Sequence, residues 1–184
     1  MKDEREKSTK LPLTLHKVAE SAKEILLAEG KYAPMLLVEG SKQTLAIDLE
    51  ELPESMTKRA RQLIVAGFAV ARDYNLGELQ QAFFVSEGWM SLPDEGIMLD
   101  VPPSQDPNRR EVLMISHLKM PDFQMAANII ELLRDGNGIL RELRDYRPPM
   151  GGEESIFNPL LLAFAAGYQA GTKGTFDLPH EPLG

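Results

Sequence analysis

The sequence predicts a single α+β domain built on an antiparallel or mixed sheet of about five or six strands. Two segments have the spacing of amphipathic helices, several short runs have strand character, and the two kinds do not alternate as βαβ units would. The 184 residues are 43% hydrophobic, which suffices for one core. We therefore expect one domain over residues 12–170, a mobile charged tail at 1–11 and an extended tail at 171–184.

The first half of the chain predicts two helices and a hairpin. Residues 14–30 carry apolar side chains at steps of three and four, and Gly30 can end the helix in a left-handed conformation. Residues 35–38 and 45–49 are separated by turn residues and read as a β-hairpin. A long apolar stripe over residues 53–74 predicts the second helix. We expect both helices to pack on one face of the sheet.

The second half predicts further strands. Residues 81–85 are aromatic and β-branched enough for a central strand, and residues 112–118 have strand character as well. Residues 91–108 hold four prolines and read as a long loop. Residues 126–147 surround an Asp-Gly-Asn-Gly turn signal, which favours a second hairpin, although two short helices fit the same pattern.

Residues 156–170 are apolar on nearly every side, which predicts a C-terminal helix that something must cover. Burial in the core and burial against a second copy satisfy this demand equally well. In the second case the contact residues would be Phe157, Leu161, Phe164 and Tyr168.

Composition disfavours several classes of function. The chain has no cysteine, a net charge of −8 and no basic cluster, so thiol chemistry and nucleic-acid binding are both disfavoured. The charged start of the chain lacks the apolar stretch of a secretory signal, and no run is long enough for a membrane span, so we expect a soluble cytoplasmic protein. Without phosphate-binding glycine motifs or a metal-ligand pattern, we expect no cofactor and no metal.

The best candidate site is the end of the central strand, Ser86-Glu87-Gly88-Trp89, because residues at a strand end can be held rigidly and still face a ligand. Trp89 and Asp122 are the candidates for binding. The structural alternative is that Trp89 caps the core, Glu87 is solvated and Gly88 permits a bulge.

His117 in the next strand, with Asp122 just beyond it, could complete a catalytic arrangement. Ser86, His117 and Asp122 would form a proton relay, whereas Glu87, His117 and Asp122 would form a metal site. Neither set has the local motif typical of such centres, and a single strand histidine is more often a structural residue.

The order of these segments, with YAPMLLVEG, TLAIDL, AFFVSEGWM and DPNRREVLMI, resembles a family of uncharacterised bacterial proteins over roughly residues 14–147. Members carry comparable Ser-Glu-x-Trp and Asp-Pro-x-Arg-x-Glu-x-Leu segments. The resemblance implies a bacterial cytoplasmic origin and carries no known activity.

Three functional hypotheses follow. The first is a non-catalytic binding or assembly module that acts as a homo-oligomer, such as a homodimer. The second is a small hydrolase or metal-dependent enzyme centred on Glu87 and His117, with the acidic loop 91–108 as a lid. The third is a small-molecule sensor that uses the sheet face and requires a large apolar pocket.

Overall fold

A computed structural model describes residues 13–49, 52–91, 105–146 and 158–174. The elements, in chain order, are α1 (Leu15–Glu29), β1 (Met35–Gly40), β2 (Thr44–Asp48), α2 (Met56–Asp73), β3 (Leu79–Met90), β4 (Arg110–Lys119), β5 (Gln124–Arg134), β6 (Leu140–Asp145) and α3 (Pro159–Lys173). The predicted α+β class is confirmed. The predicted tail at 1–11 and most of the predicted tail at 171–184 lie outside the described residues, but α3 continues to Lys173, so an extended tail cannot begin at residue 171.

Within the described residues the sheet has six strands in the order β2-β1-β3-β4-β5-β6, and every neighbouring pair is antiparallel. The described part of the predicted segment 126–147, up to residue 146, therefore forms a hairpin and not two helices. Its turn follows from local chemistry, because the Asp135 carboxylate accepts the N–H groups of Asn137 and Ile139 at 2.9 and 3.0 Å, and Gly138 takes a φ of +78°.

The helices cover opposite faces of this sheet. On one side, here called the α1 face, helix α1 packs on Phe83 and Val85 of β3 together with apolar residues of β4 and β5. On the other side, here called the α2/α3 face, helices α2 and α3 pack on Phe84 and on residues of β1 and β4. The expectation that α1 and α2 share one face is therefore wrong. The physical reason is that β3 is buried without a break from Ala82 to Ser86, and a strand that is apolar in both directions needs cover on both sides.

Helix α1 begins and ends where its sequence predicts. The Thr14 hydroxyl accepts the Lys17 N–H at 3.2 Å, and Gly30 closes the helix with a φ of +75°. Helix α3 is capped by Asn158, whose side-chain oxygen accepts the Leu160 N–H at 2.9 Å and whose amide nitrogen donates to Ser116 on β4. The cap therefore also joins the start of α3 to the sheet.

Helices α2 and α3 approach each other very closely through glycines. A Cβ atom added at Gly67 would overlap the Phe164 carbonyl oxygen, and one added at Gly167 would overlap the Ile64 carbonyl oxygen. The two backbones are thus in direct contact, which requires residues without side chains at both positions.

Among the described helices, none is both long enough and apolar enough to cross a membrane.

Candidate functional site

The four residues of the Ser86–Trp89 segment do not share a face of the sheet. Side chains alternate along β3, so Ser86 lies on the α2/α3 face, whereas Glu87 and Trp89 lie on the α1 face. Ser86 is buried opposite Met114. The pairing with β4 runs without a break from Gln81 to Met90, so Gly88 introduces no bulge.

Both oxygens of Glu87 are held by structural partners. One accepts the backbone N–H of Tyr32, and the other pairs with the Arg134 guanidinium at 3.3 Å. Burial raises the pKa of Glu87, and the neighbouring Glu111 acts in the same direction, while the Tyr32 N–H and Arg134 oppose the rise. A carboxylate with these partners is positioned to hold the segment after α1 against the sheet.

Arg134 is the centre of this arrangement. Its Nε donates to Glu111 at 2.9 Å, and one terminal nitrogen donates to the carbonyl oxygen of Gly30 at 2.7 Å. Gly30 is the residue that ends α1. Arg134 therefore links the C-terminal end of α1 to β3, β4 and β5, and we call Glu87, Glu111 and Arg134 the arginine clasp.

His117 belongs to a second polar group, at the other end of α1. Its Nε2 lies 2.8 Å from the side-chain oxygen of Gln81, and its ring stacks on Phe83 with centroids 4.4 Å apart. The Gln81 amide nitrogen donates to the Leu13 carbonyl oxygen at 2.9 Å and also to Glu39. Burial lowers the pKa of His117, and the Lys119 ammonium adds to the decrease. We call Glu39, Gln81 and His117 the histidine link, because they connect the residues just before α1 with the sheet.

The proposed catalytic sets do not form. The strand partner of Glu87 is Leu113, four residues before His117. At about 3.3 Å of rise per residue, the two side chains are attached about 13 Å apart. That separation is too long for a hydrogen bond or a shared metal ion. Ser86 is on the opposite face from His117, so the proton relay is excluded as well.

Asp122 does not approach either set. It is exposed in the turn between β4 and β5, beyond Lys119. In the part of the chain that the structure describes, no group of three histidine, aspartate or glutamate side chains has the arrangement of a metal site.

Trp89, like Asp122, is an exposed member of the predicted site residues. It is 46% exposed, and the Arg109 guanidinium lies over its ring at 4.4 Å. Its strand partner is Glu111, and the partner of Glu87 is Leu113. The two segments that carry the resemblance are therefore neighbours in space, because the Ser-Glu-x-Trp segment pairs with the end of the Asp-Pro-x-Arg-x-Glu-x-Leu segment, and both contribute to the arginine clasp.

The predicted oligomer contacts on α3 are internal. Leu161 and Phe164 are fully buried and Tyr168 is 2% exposed, all within a single copy of the chain. The Tyr168 hydroxyl donates to the Gly77 carbonyl oxygen at 2.7 Å. These three residues cannot meet a partner, because α2 and the sheet already cover them. Phe157 lies outside the described residues.

The best-formed surface depressions are shallow. One lies on the outer side of α2, along Thr57, Arg61 and Val65, and the other lies where α2 ends near α3, along Arg72, Tyr74 and Thr172. Both are open to solvent. Neither is the enclosed apolar pocket that a small-molecule sensor requires.

The strands at the two edges of the sheet differ strongly. Edge strand β2 reads Thr-Leu-Ala-Ile-Asp, with one charge and a regular pairing with β1. Edge strand β6 reads Leu-Arg-Glu-Leu-Arg-Asp, with four charged residues that are all exposed. Its pairing with β5 shifts by one residue at Arg134, next to Arg141. Among the described residues, each edge strand pairs on one side only, β2 with β1 and β6 with β5.

Comparison with known proteins identifies no relative. No family model matches the chain, and no curated protein and no solved structure is significantly similar to it. The resemblance to uncharacterised bacterial proteins accordingly stays a prediction.

Proposed function

We propose that this protein is a non-catalytic assembly module that acts as a homo-oligomer through an edge of its sheet. The observation that carries the proposal is the open sheet, whose outer strands β2 and β6 pair on one side only in the described part of the chain. An edge strand offers a row of backbone donors and acceptors, and a strand from another copy can use them.

The polar residues support a structural role and not a catalytic one. In the arginine clasp and the histidine link, Glu87, Arg134 and His117 each bind other parts of the same chain. These two groups hold the two ends of α1, so Glu87 and His117, the candidate catalytic residues of the sequence, serve the fold.

The assembly cannot use the apolar side of α3, since that side is buried within one copy. The contact has to use a surface that one copy leaves exposed. Both edges of the sheet meet that requirement, with Ala46 exposed on β2 and Arg144 exposed on β6.

The mass of the protein in solution tests this proposal. One chain has a mass of 20.5 kDa. We expect light scattering and sedimentation equilibrium of the full chain to give at least twice that mass, with a concentration dependence at the lowest concentrations measured. A mass of one chain at every concentration up to the solubility limit would contradict the proposal.

A further inference from the structure

We infer that β6 is the edge used, and that it pairs antiparallel with β6 of a second copy about a two-fold axis at Leu143. This inference rests on the proposed homo-oligomer and adds the interface and its register.

The backbone directions follow from the pairing with β5. The N–H of Tyr146 donates to the Ile129 carbonyl oxygen at 2.9 Å, so Tyr146 turns its backbone groups toward β5. In an antiparallel pair, alternate residues bond to the same neighbour. Leu143 and Asp145 therefore turn their N–H and C=O groups outward, where a second strand can meet them.

Of the registers in which two β6 strands can pair through these outward groups, only one places opposite charges opposite each other. With Leu143 opposite Leu143 of the second copy, each Glu142 faces an Arg144. The next residues out are Arg141 and Asp145, which also have opposite charges, but Arg141 lies at the register shift of β6, so regular alternation does not fix its direction. Moving the axis by one residue puts Glu142 opposite Glu142, or Arg144 opposite Arg144. Like charges directly opposite each other are unfavourable, so the strand selects a single register against its alternatives.

The two pairs of Glu142 with Arg144, which lie next to the axis, decide the register. Glu142 and Arg144 are exposed and bind each other within one copy at 3.0 Å, so they can exchange partners across the axis with little rearrangement. The outer residues have partners of their own, since Arg141 binds Asp135 and Asp145 binds Lys23 of α1 at 2.9 Å.

Apolar surface beside the same edge adds to the fit. The contact between Lys23 and Asp145 places one flank of α1 next to β6. Leu27 is on that flank, one helical turn after Lys23, and it is 63% exposed. Ile139, which directly precedes β6, is 52% exposed. A two-fold axis at Leu143 brings the α1 flanks of the two copies toward each other, so that Leu27 gains cover.

Charge reversal on β6 tests the inference. We expect Glu142→Arg and Arg144→Glu, made singly, to raise the dissociation constant of the dimer by roughly tenfold or more, because each places two pairs of like charges beside the axis. The double variant Glu142→Arg/Arg144→Glu restores opposite charges and should return the dissociation constant to within about threefold of the wild-type value. Ala46→Lys, at the middle of β2, serves as the matched control and should leave it unchanged. Circular dichroism confirms that each variant is folded.

The outcomes separate the two proposals. If neither single reversal changes the dissociation constant, the β6 register is wrong. The same holds if a single reversal raises it and the double variant does not restore it. Both results leave the proposed homo-oligomer intact. A dimer that is weakened by Ala46→Lys places the contact on β2 and overturns the inference in the same way. A wild-type chain that is strictly monomeric overturns both.

Discussion

His117 shows how a residue type associated with catalysis can serve the fold. Its ring is stacked on Phe83 and its Nε2 lies beside the Gln81 side-chain oxygen, and in this half-buried position its pKa is lowered. Because Gln81 presents an oxygen, the imidazole is the donor in this hydrogen bond. A substitution that keeps a donor should therefore keep the link while removing the titration.

The predicted consequence is a specific pH dependence of stability. Since the folded pKa is below the ordinary value of 6.5, the unfolded chain binds the proton first, and this group reduces stability as the pH falls below about 6.5. We expect His117→Gln to lose less free energy of unfolding than the wild type between about pH 8 and about pH 5. His16→Gln, at an exposed position of α1, should behave like the wild type in the same urea titrations. An equal loss in His117→Gln and the wild type would contradict the assignment.

Arg134 gives a second prediction about a single residue. Replacing it with Met leaves the Glu87 and Glu111 carboxylates side by side, each largely covered, and leaves the Gly30 carbonyl oxygen without this donor. We expect the free energy of unfolding to fall by about 2–3 kcal/mol. Arg72→Met, at the exposed end of α2, removes only a contact with the Phe68 ring and a charge near the helix end, and should lower the free energy of unfolding by at most about 1 kcal/mol. Equal effects in the two variants would mean that the clasp does not hold α1.

The sequence pointed to some of these residues and concealed others. Glu87 and His117 stood out because acids and histidines near a strand end are typical of sites, and both are indeed in polar networks. Arg134 and Gln81 were not singled out, because their partners are 47 and 36 residues away in the chain. One signal was available, since Arg134 directly follows an apolar strand run and precedes a turn. Which carboxylates it binds depends on strand order, which composition and periodicity do not contain.

The close contact between helices α2 and α3 predicts how substitutions of its glycines change the stability. Gly67→Ala and Gly167→Ala should each lower the free energy of unfolding by about 1–3 kcal/mol, because a methyl group at either position meets backbone of the other helix. The better helix propensity of alanine offsets only part of this effect.

Gly88→Ala is the matched control for these variants. Gly88 lies inside β3, and an added Cβ there would meet nothing within 4 Å. Thermal or urea unfolding should therefore show no loss of stability in this variant. If Gly67→Ala and Gly167→Ala are as stable as Gly88→Ala, the helices are farther apart than described here.

Most elements could be predicted from the sequence, and their arrangement only in part. Helix α1 was readable from its spacing and its glycine stop, and the second hairpin from its turn residues, because these are local effects. The faces were assigned wrongly, although Ala82-Phe83-Phe84-Val85 already implied cover on both sides. The sequence could not show where α3 lies, because an apolar helix can be buried in the core of its own chain or against a second copy.

In the part of the chain that the structure describes, helices cover both faces of the sheet, and the edge strands β2 and β6 each pair on one side only. An acidic protein with a formal charge of −8 repels its own copies at long range. Specific association then requires a local surface on which opposite charges face each other. Two β6 strands provide such a surface when they pair about Leu143. The regular and nearly uncharged β2 is the alternative edge, so a decisive measurement has to compare the two.

A cysteine placed at the centre of each edge makes this comparison directly. The chain has no cysteine, so Leu143→Cys and Ala46→Cys each introduce a unique thiol. Residues directly opposite each other in a hydrogen-bonded antiparallel pair have Cα atoms about 5.5 Å apart, within the range that a disulfide spans. Under mild oxidation of dilute protein, we expect a disulfide-linked dimer on non-reducing gels for Leu143→Cys and a monomer for Ala46→Cys. A linked dimer for Ala46→Cys with none for Leu143→Cys would contradict the central claim that two copies join through β6.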